Sequence, residues 1–253
     1  MGRHHGTKDF WLASLRAEGA AFGAAVRADG VLTAQVPSCP QWTGTDLVRH
    51  VGGIYAWVSS NIARGVTTPP ERRPETVELT DEALLTWWDG CFAEVLRALD
   101  RVEPEQPAWN WAPQPKRAIF WHRRLAHETA VHRWDAQLAA GLPEPVEAKL
   151  AADGVSEVMD TWLASGRRHS RSARTGVVAL NASDVDQVWF VRLRGEGVAL
   201  LDTDTLLDDD DRHERATAIG SASDLLLALY GRVPFDVLQV SGDVALLEGL
   251  RTG

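Results

Sequence analysis

The sequence predicts an α+β protein, in which an N-terminal four-helix bundle at about residues 1–145 precedes a bridging helix and a small α+β domain at about residues 146–253. Three observations lead to this prediction. Four long segments of the first part are predicted to be helices, and apolar residues recur at helical spacing in the first and third of them. Short β-branched runs dominate the second part. Every tryptophan except Trp189 lies at or before Trp162, so the two parts are built from different residues.

The second and third predicted helices begin at capping residues, and the four helices are separated by the proline-containing segments "PSCPQW", "TTPPERRPE" and "VEPEQPAWNWAPQP". Thr43 and Asp46 form a capping-box-like pair at the start of the second helix. Thr80 precedes two acidic residues, which are favourable in the first turn of the third helix. The predicted helices cover 9–28, 43–63, a segment from Thr80 whose apolar stripe reaches Leu99, and 117–140. Four such helices are typical of a four-helix bundle.

The second part mixes helices with short strands. A bridging helix is expected over 148–164, after Pro143 and Pro145. The runs "VVALN", "VWFVRL", "GVALLD" and "VLQVSGD" are expected to be strands, because they are short and rich in β-branched residues. The segments "SASDLLLALYGR" and "VALLEGL" are expected to be helices. These elements predict a small antiparallel or mixed sheet with helices packed on it.

Composition excludes several classes of protein. The net charge of −9 argues against non-specific nucleic-acid binding, which requires a basic surface. Two cysteines, Cys39 and Cys91, provide neither a disulfide framework nor a thiolate cluster for zinc. The charged start "MGRHHGTKDF" lacks the apolar region of a secretion signal, and the apolar run "LLLALY" is too short to cross a bilayer. We therefore expect a cytoplasmic protein that binds neither nucleic acid nor membrane.

Glu128 and His132, in the segment "RRLAHETAVHRWDA", lie four residues apart on the fourth predicted helix and therefore on one helix face. Together they could bind one metal ion, with His50 of the second helix as the third ligand. Two histidines and one carboxylate would leave an open coordination position, which is typical of a catalytic site. The alternatives are a surface Glu–His pair and an ordinary core or surface histidine at His50. The zinc-protease pattern is not met, because residue 131 is Val131 rather than histidine.

The segments "WTGTDLVRHVGGIYAW" and "RRLAHETAVHRWDA", followed by "LLALYGR" and "VSGD", resemble the mycothiol-dependent maleylpyruvate isomerase family. The resemblance covers nearly the whole chain and implies a DinB-like four-helix bundle with a smaller C-terminal domain. It also implies that His50, Glu128 and His132 bind a divalent metal, with zinc as the first choice. It further implies mycothiol as co-substrate and a functional arginine at Arg232. Asp135, three residues after His132, is a candidate to hydrogen-bond a ligand or substrate.

The resemblance implies chemistry in which a metal-activated thiolate of mycothiol attacks an electrophilic substrate. Addition to a cis double bond, rotation and elimination would give the trans isomer, whereas addition alone would make a mycothiol S-conjugate. Arg232 would hold a carboxylate of an anionic substrate through two parallel hydrogen bonds. The alternatives are a biosynthetic thiol-exchange enzyme of the same fold and a non-catalytic metal-binding sensor or interaction module.

Overall fold

The computed structural model describes residues 6–70, 77–166, 174–195, 197–201 and 215–252. It divides into two compact units, Met1–Glu144 and Pro145–Gly253, and each is described below by itself. The fold has the predicted class, a helical first unit followed by a unit that contains a five-stranded sheet. Among the described residues, none of the helices is both long enough and apolar enough to span a membrane.

Four long helices form the described part of the first unit, as predicted. They are α1 (Lys8–Val26), α2 (Gly44–Ala63), α3 (Asp81–Arg101) and α4 (Ile119–Ala139). The main helix pairs are α1 with α4 and α2 with α3. Each predicted helix therefore exists, with ends that differ from the prediction by one or two residues.

Aromatic rings fill much of the bundle core between α1, α2 and α3. Trp88 of α3 stacks on Phe92 one turn later, with ring centroids 5.2 Å apart and planes 17° from parallel. Phe22 of α1 lies 5.2 Å from Trp88, and Tyr55 of α2 lies 5.6 Å from Phe92. Offset and tilted ring pairs at these distances stabilise a core beyond the burial of their area. These contacts fix α2 against α3.

The second unit begins with α5 (Ala148–Glu157), whose last turn continues as a π-helix over Val158–Leu163. The predicted bridging helix is therefore present, although its last third has wider π-helical turns. Two further helices follow the main strands, α6 (Ala222–Leu229) and α7 (Val244–Glu248). Both pack against the sheet described next. The closing helix is two residues shorter than the segment "VALLEGL" suggested.

The sheet contains β1 (Thr175–Ala182), β2 (Gln187–Arg194), β3 (Gly197–Leu201), β4 (Arg215–Gly220) and β5 (Gln239–Gly242). Their spatial order is β3-β2-β1-β4-β5, and the β1–β4 pair is parallel while the others are antiparallel. The sheet is therefore mixed. Alternate residues of β1 are buried, as expected for a sheet with one covered face. Residue 202, the predicted end of the third strand, lies outside the described residues.

Strand β4 was not predicted from the sequence. Its segment "RATAIG" contains two alanines and a glycine, which have low strand propensity, so no β-branched run marks it. Pairing compensates for this weak local preference, because β4 lies between β1 and β5 and bonds to both. Tertiary pairing therefore decides the conformation of this segment.

Candidate metal centre

The position of His50 is set by the start of α2. The Thr43 hydroxyl accepts a hydrogen bond from the Asp46 backbone N–H, and the Asp46 carboxylate accepts one from the Thr43 backbone N–H at 2.9 Å. This reciprocal pair is the predicted capping box. The backbone and side-chain hydrogen bonds from Thr43 lower the pKa of Asp46. The capping box fixes where α2 begins and thereby places His50 about two turns into the helix.

Glu128 and His132 lie one turn apart on α4 and face His50 across the bundle. The Oε1 atom of Glu128 lies 3.2 Å from His50 Nε2 and 3.3 Å from His132 Nε2. One potential ligand atom from each of the three residues lies within 4.8 Å of the other two. The structure therefore brings together the three residues that the sequence pattern selected.

Asp135 binds the ring nitrogen of His132 that does not face Glu128. The Nδ1–H of His132 donates a hydrogen bond to Asp135 Oδ2 at 2.8 Å, and this bond assigns the proton of the neutral ring to Nδ1. The lone pair of Nε2 then points towards the carboxylate of Glu128. Two electron-rich atoms at 3.3 Å repel each other unless a proton or a metal cation lies between them. The donor set therefore calls for a positive charge at its centre.

Burial and charge in the cluster have opposing effects on its acids and bases. Burial alone would raise the pKa of Glu128, but hydrogen bonds from His132 and His50 and the charge of Arg124 hold that pKa well below its ordinary value. Burial alone would lower the pKa of His132, but its hydrogen bonds to Asp135 and Glu128 raise it. Both pKa shifts indicate the same electrostatic preference. The cluster favours an ionised carboxylate with a positive charge beside it.

The spacing of the donor atoms fits a divalent transition metal. Zinc–nitrogen and zinc–oxygen bonds of about 2.0–2.2 Å at tetrahedral angles place neighbouring ligand atoms about 3.3 Å apart. The two separations that involve Glu128 Oε1, 3.2 and 3.3 Å, match this value, and all three ligand atoms lie within 4.8 Å of one another. The imidazole planes of His50 and His132 are 77° apart, so both Nε2 atoms approach the same carboxylate oxygen without ring overlap. Three residues of this kind fit a site with at least one further coordination position.

Access to the cluster comes from the His50 side. The His50 side chain is 28% exposed, whereas the His132 side chain is 8% exposed. The indole of Trp42, in the connection between α1 and α2, lies 4.6 Å from the His50 ring and 6.1 Å from the His132 ring. Trp42 therefore forms an apolar wall beside the two imidazoles.

The two glycines after His50 have different roles. A Cβ atom at Gly52 would lie 2.4 Å from the indole of Trp87, so only glycine allows this ring to approach the backbone of α2. A Cβ atom at Gly53 would contact nothing within 4 Å.

Asp135 is fully buried, and its carboxylate contacts side chains of the protein. Besides His132 it binds Ser38, whose hydroxyl donates to Oδ1 at 2.6 Å, and the Cys39 sulfur lies 4.0 Å from Oδ2. These contacts favour a role in orienting His132. The predicted direct role of Asp135 towards substrate stays a prediction.

The surroundings of the cluster include three residues that were not predicted from the sequence: Arg124, Ser38 and Trp42. Arg124 lies four residues before Glu128, and its guanidinium donates to Glu128 Oε2 at 2.8 Å. An opposite-charge pair at this spacing was the available signal. Ser38 and Asp135 are 97 residues apart, so no local pattern connects them.

Arg232 lies in the second unit, directly after Gly231, which has a φ of 69°. Its guanidinium donates to the Tyr230 carbonyl oxygen at 3.0 Å. The side chain is half-buried. Its assignment to a substrate carboxylate stays a prediction.

Two family models match the chain. The model described as the mycothiol maleylpyruvate isomerase N-terminal domain matches residues 12–137, and the C-terminal domain model of that family, abbreviated MDMPI, matches residues 149–249. No curated protein matches at a significant level.

Two solved structures resemble the chain over nearly its whole length. One is the crystal structure of the mycothiol-dependent maleylpyruvate isomerase, with a TM-score of 0.68 and 13% sequence identity. The other is a histidine-to-alanine mutant of that enzyme, with a TM-score of 0.68 and 12% identity. Each comparison covers 95% of this chain and 96% of the other. At such low identity these structures show a shared fold.

Proposed function

The chain belongs to the mycothiol maleylpyruvate isomerase family, and we propose that it is a metal-dependent enzyme in which the thiolate of mycothiol attacks an electrophilic substrate. The observation that supports this proposal is the cluster of His50, Glu128 and His132. It has three converging ligand atoms, a buried supporting carboxylate and an open side. A purely structural metal site would be closed by a fourth protein ligand.

In this proposal the three residues of the cluster hold a divalent metal, with zinc as the first choice. A divalent cation bound there would favour the thiolate form of mycothiol, since a free thiol with a pKa of about 8.5 is mostly protonated at neutral pH. Asp135 keeps the proton of His132 on Nδ1, so that Nε2 remains available as a ligand. Trp42 shields one side of the site from water.

The proposed reaction is cis/trans isomerisation of the maleylpyruvate type. Addition of the thiolate to a conjugated cis double bond leaves a single bond that rotates, and loss of the thiolate then gives the trans isomer and regenerates mycothiol. Where the thiolate does not leave, the product is a mycothiol S-conjugate. Arg232 would bind a carboxylate of the anionic substrate, because the guanidinium donates two parallel hydrogen bonds. We also propose that the protein is cytoplasmic, as expected from its sequence.

The test incubates the metal-loaded protein with mycothiol and maleylpyruvate and follows both by NMR and mass spectrometry. Isomerisation predicts a trans product with no net loss of mycothiol, whereas S-transfer predicts a conjugate that carries the mass of both reactants. Parallel reactions with glutathione test the thiol, since a pocket that binds the sugar hydroxyls of mycothiol rejects glutathione. If neither product forms with the metal-loaded protein, the proposed activity is wrong.

A matched pair of variants separates the metal from the substrate in the same assay. His132→Ala should lose both metal and turnover. Arg232→Lys should keep the metal but lose most turnover on a substrate with a carboxylate, because an ammonium group cannot form the two parallel hydrogen bonds. Unchanged kinetics in Arg232→Lys would remove Arg232 from the proposed site.

A further inference from the structure

We infer that Arg124 is a positioning residue that restricts Glu128 to binding metal through a single oxygen and so preserves a coordination position for the thiol. This inference rests on the proposed function. It follows from how the two oxygens of Glu128 are divided. Oε1 faces His50 and His132, whereas Oε2 accepts a hydrogen bond from Arg124 at 2.8 Å.

Arg124 is suited to this role by its burial and by its position on α4. Its side chain is only 5% exposed. A guanidinium remains charged at all physiological pH values, so a buried one keeps its anionic partner. Arg124, Glu128 and His132 are spaced four residues apart and therefore follow one face of α4. The same face thus carries the ligands and the group that orients one of them.

The division of oxygens matters because a carboxylate rotates easily about its terminal bond. Without Arg124, Oε2 of Glu128 would be free to turn towards the histidines and bind the same cation as Oε1. Two carboxylate oxygens would then occupy two coordination positions, one of them required by the thiol. Arg124 also adds a positive charge beside the cluster, which favours the binding of an anionic thiolate there.

Arg133 provides a matched control on the same helix. It is equally buried, with a side chain 4% exposed, and it also pairs with a carboxylate, Glu18, at 2.6 Å. That carboxylate belongs to α1 and is not one of the three residues of the cluster. Replacing either arginine removes a cationic partner from a carboxylate. Arg124 pairs with Glu128, whereas Arg133 pairs with Glu18, so effects on the metal site distinguish the two positions.

Cobalt substitution tests the inference without reliance on activity. Four-coordinate Co²⁺ absorbs visible light more strongly than five- or six-coordinate Co²⁺, and a bound thiolate adds a sulfur-to-cobalt charge-transfer band. The apo forms of wild type, Arg124→Gln and Arg133→Gln would be titrated with Co²⁺ and then with 2-mercaptoethanol. Metal affinity alone does not discriminate, since removing a positive charge offsets the loss of orientation.

We expect Arg124→Gln to bind Co²⁺ with weaker visible absorption per ion and to bind 2-mercaptoethanol about tenfold or more weakly than wild type. Arg133→Gln should lower the thermal stability but keep the wild-type spectrum and thiol affinity. If Arg124→Gln does not fold, Arg124→Lys carries the same test, because an ammonium keeps the charge but loses the planar fork. Its spectrum should change in the same direction.

The outcomes separate this inference from the proposed function. Wild-type protein that binds no Co²⁺ would overturn the metal site itself. Wild-type protein that binds both Co²⁺ and thiol, beside an Arg124 variant with the same spectrum and thiol affinity, would overturn only the role of Arg124. Equal changes in the Arg124 and Arg133 variants would also overturn it, because they would indicate a general effect of disturbing α4.

Discussion

Helices α3 and α4 have the same length, 21 residues, but opposite relations to the protein interior. Helix α3 buries four residues, Leu84, Trp88, Val95 and Leu99, and exposes its charged face. Helix α4 buries sixteen residues, and these include arginines, histidines and an aspartate. A stable helix therefore needs no apolar stripe when its polar groups find partners. The helix that departs from the amphipathic pattern is the one that carries two of the three residues of the cluster.

Several of the buried polar groups of α4 have hydrogen-bond or ion-pair partners. Arg133 pairs with Glu18, and the Thr129 hydroxyl bonds to the Tyr55 hydroxyl at 2.7 Å. The His122 ring lies within hydrogen-bond distance of two backbone carbonyl oxygens, and the single N–H of the neutral ring donates to one of them. A buried polar group without a partner would cost about 1–3 kcal/mol. Hydrogen bonds and ion pairs thus stabilise α4, whereas apolar packing stabilises α3. Substitutions in the two helices should therefore have different effects.

The largest expected effect is the loss of metal in His132→Ala. This change removes one of the three proposed ligands and leaves Glu128 with fewer partners. Elemental analysis of wild-type protein should show about one divalent cation per chain, and the variant should show almost none. Stoichiometric metal in the variant would contradict the assignment of the cluster.

On α3, Trp88→Ala should reduce stability rather than metal binding. Trp88 is 2% exposed and packs on Phe22, Tyr55 and Phe92, so its removal leaves a large cavity. We expect the free energy of unfolding to fall by about 3–5 kcal/mol, measured by denaturant titration. The folded fraction should still bind metal. Loss of metal at unchanged stability would mean that α3 also belongs to the site.

The contrast also explains what the sequence could predict. The apolar spacing of α3 predicts both its conformation and its buried face. In α4 the Glu128–His132 spacing predicts two ligands, because helical geometry alone fixes their relation. The partners of α4 could not be predicted, since Ser38 and Asp135, or Tyr55 and Thr129, meet only after the chain has folded. The same reason applies to β4, whose conformation depends on pairing with β1 and β5.

Asp135→Asn tests the hydrogen bond between Asp135 and His132 without changing the size of the side chain. An asparagine can turn its amide N–H₂ towards Nδ1 of His132, which would place the ring proton on Nε2 and block that ligand atom. Metal affinity, measured by competition with a chelator, should fall about 10–100-fold while the thermal unfolding temperature changes little. Ser38→Ala should produce a smaller loss in the same direction. Unchanged affinity in Asp135→Asn would show that Asp135 does not orient His132.

The smallest expected effect compares the starts of α2 and α3. Asp46→Asn weakens the capping box of α2 and should cost about 1 kcal/mol of stability at pH 7. Thr80→Ala should cost less, because Thr80 makes no side-chain capping bond among the described residues.

The effect at Asp46 should also depend on pH, in a direction that the capping bonds determine. The folded state lowers the pKa of Asp46, so its stabilisation is present above the unfolded-state pKa of about 3.9 and is lost as the pH falls through the folded value. The stability difference between wild type and Asp46→Asn, measured by urea titration, should therefore be constant from pH 7 to about 5 and shrink below about pH 4. The Thr80→Ala difference should stay constant across the same range. A difference at Asp46 that grows towards acid pH would contradict the capping role, because protonation removes the negative charge that strengthens the hydrogen bond from the Thr43 backbone N–H.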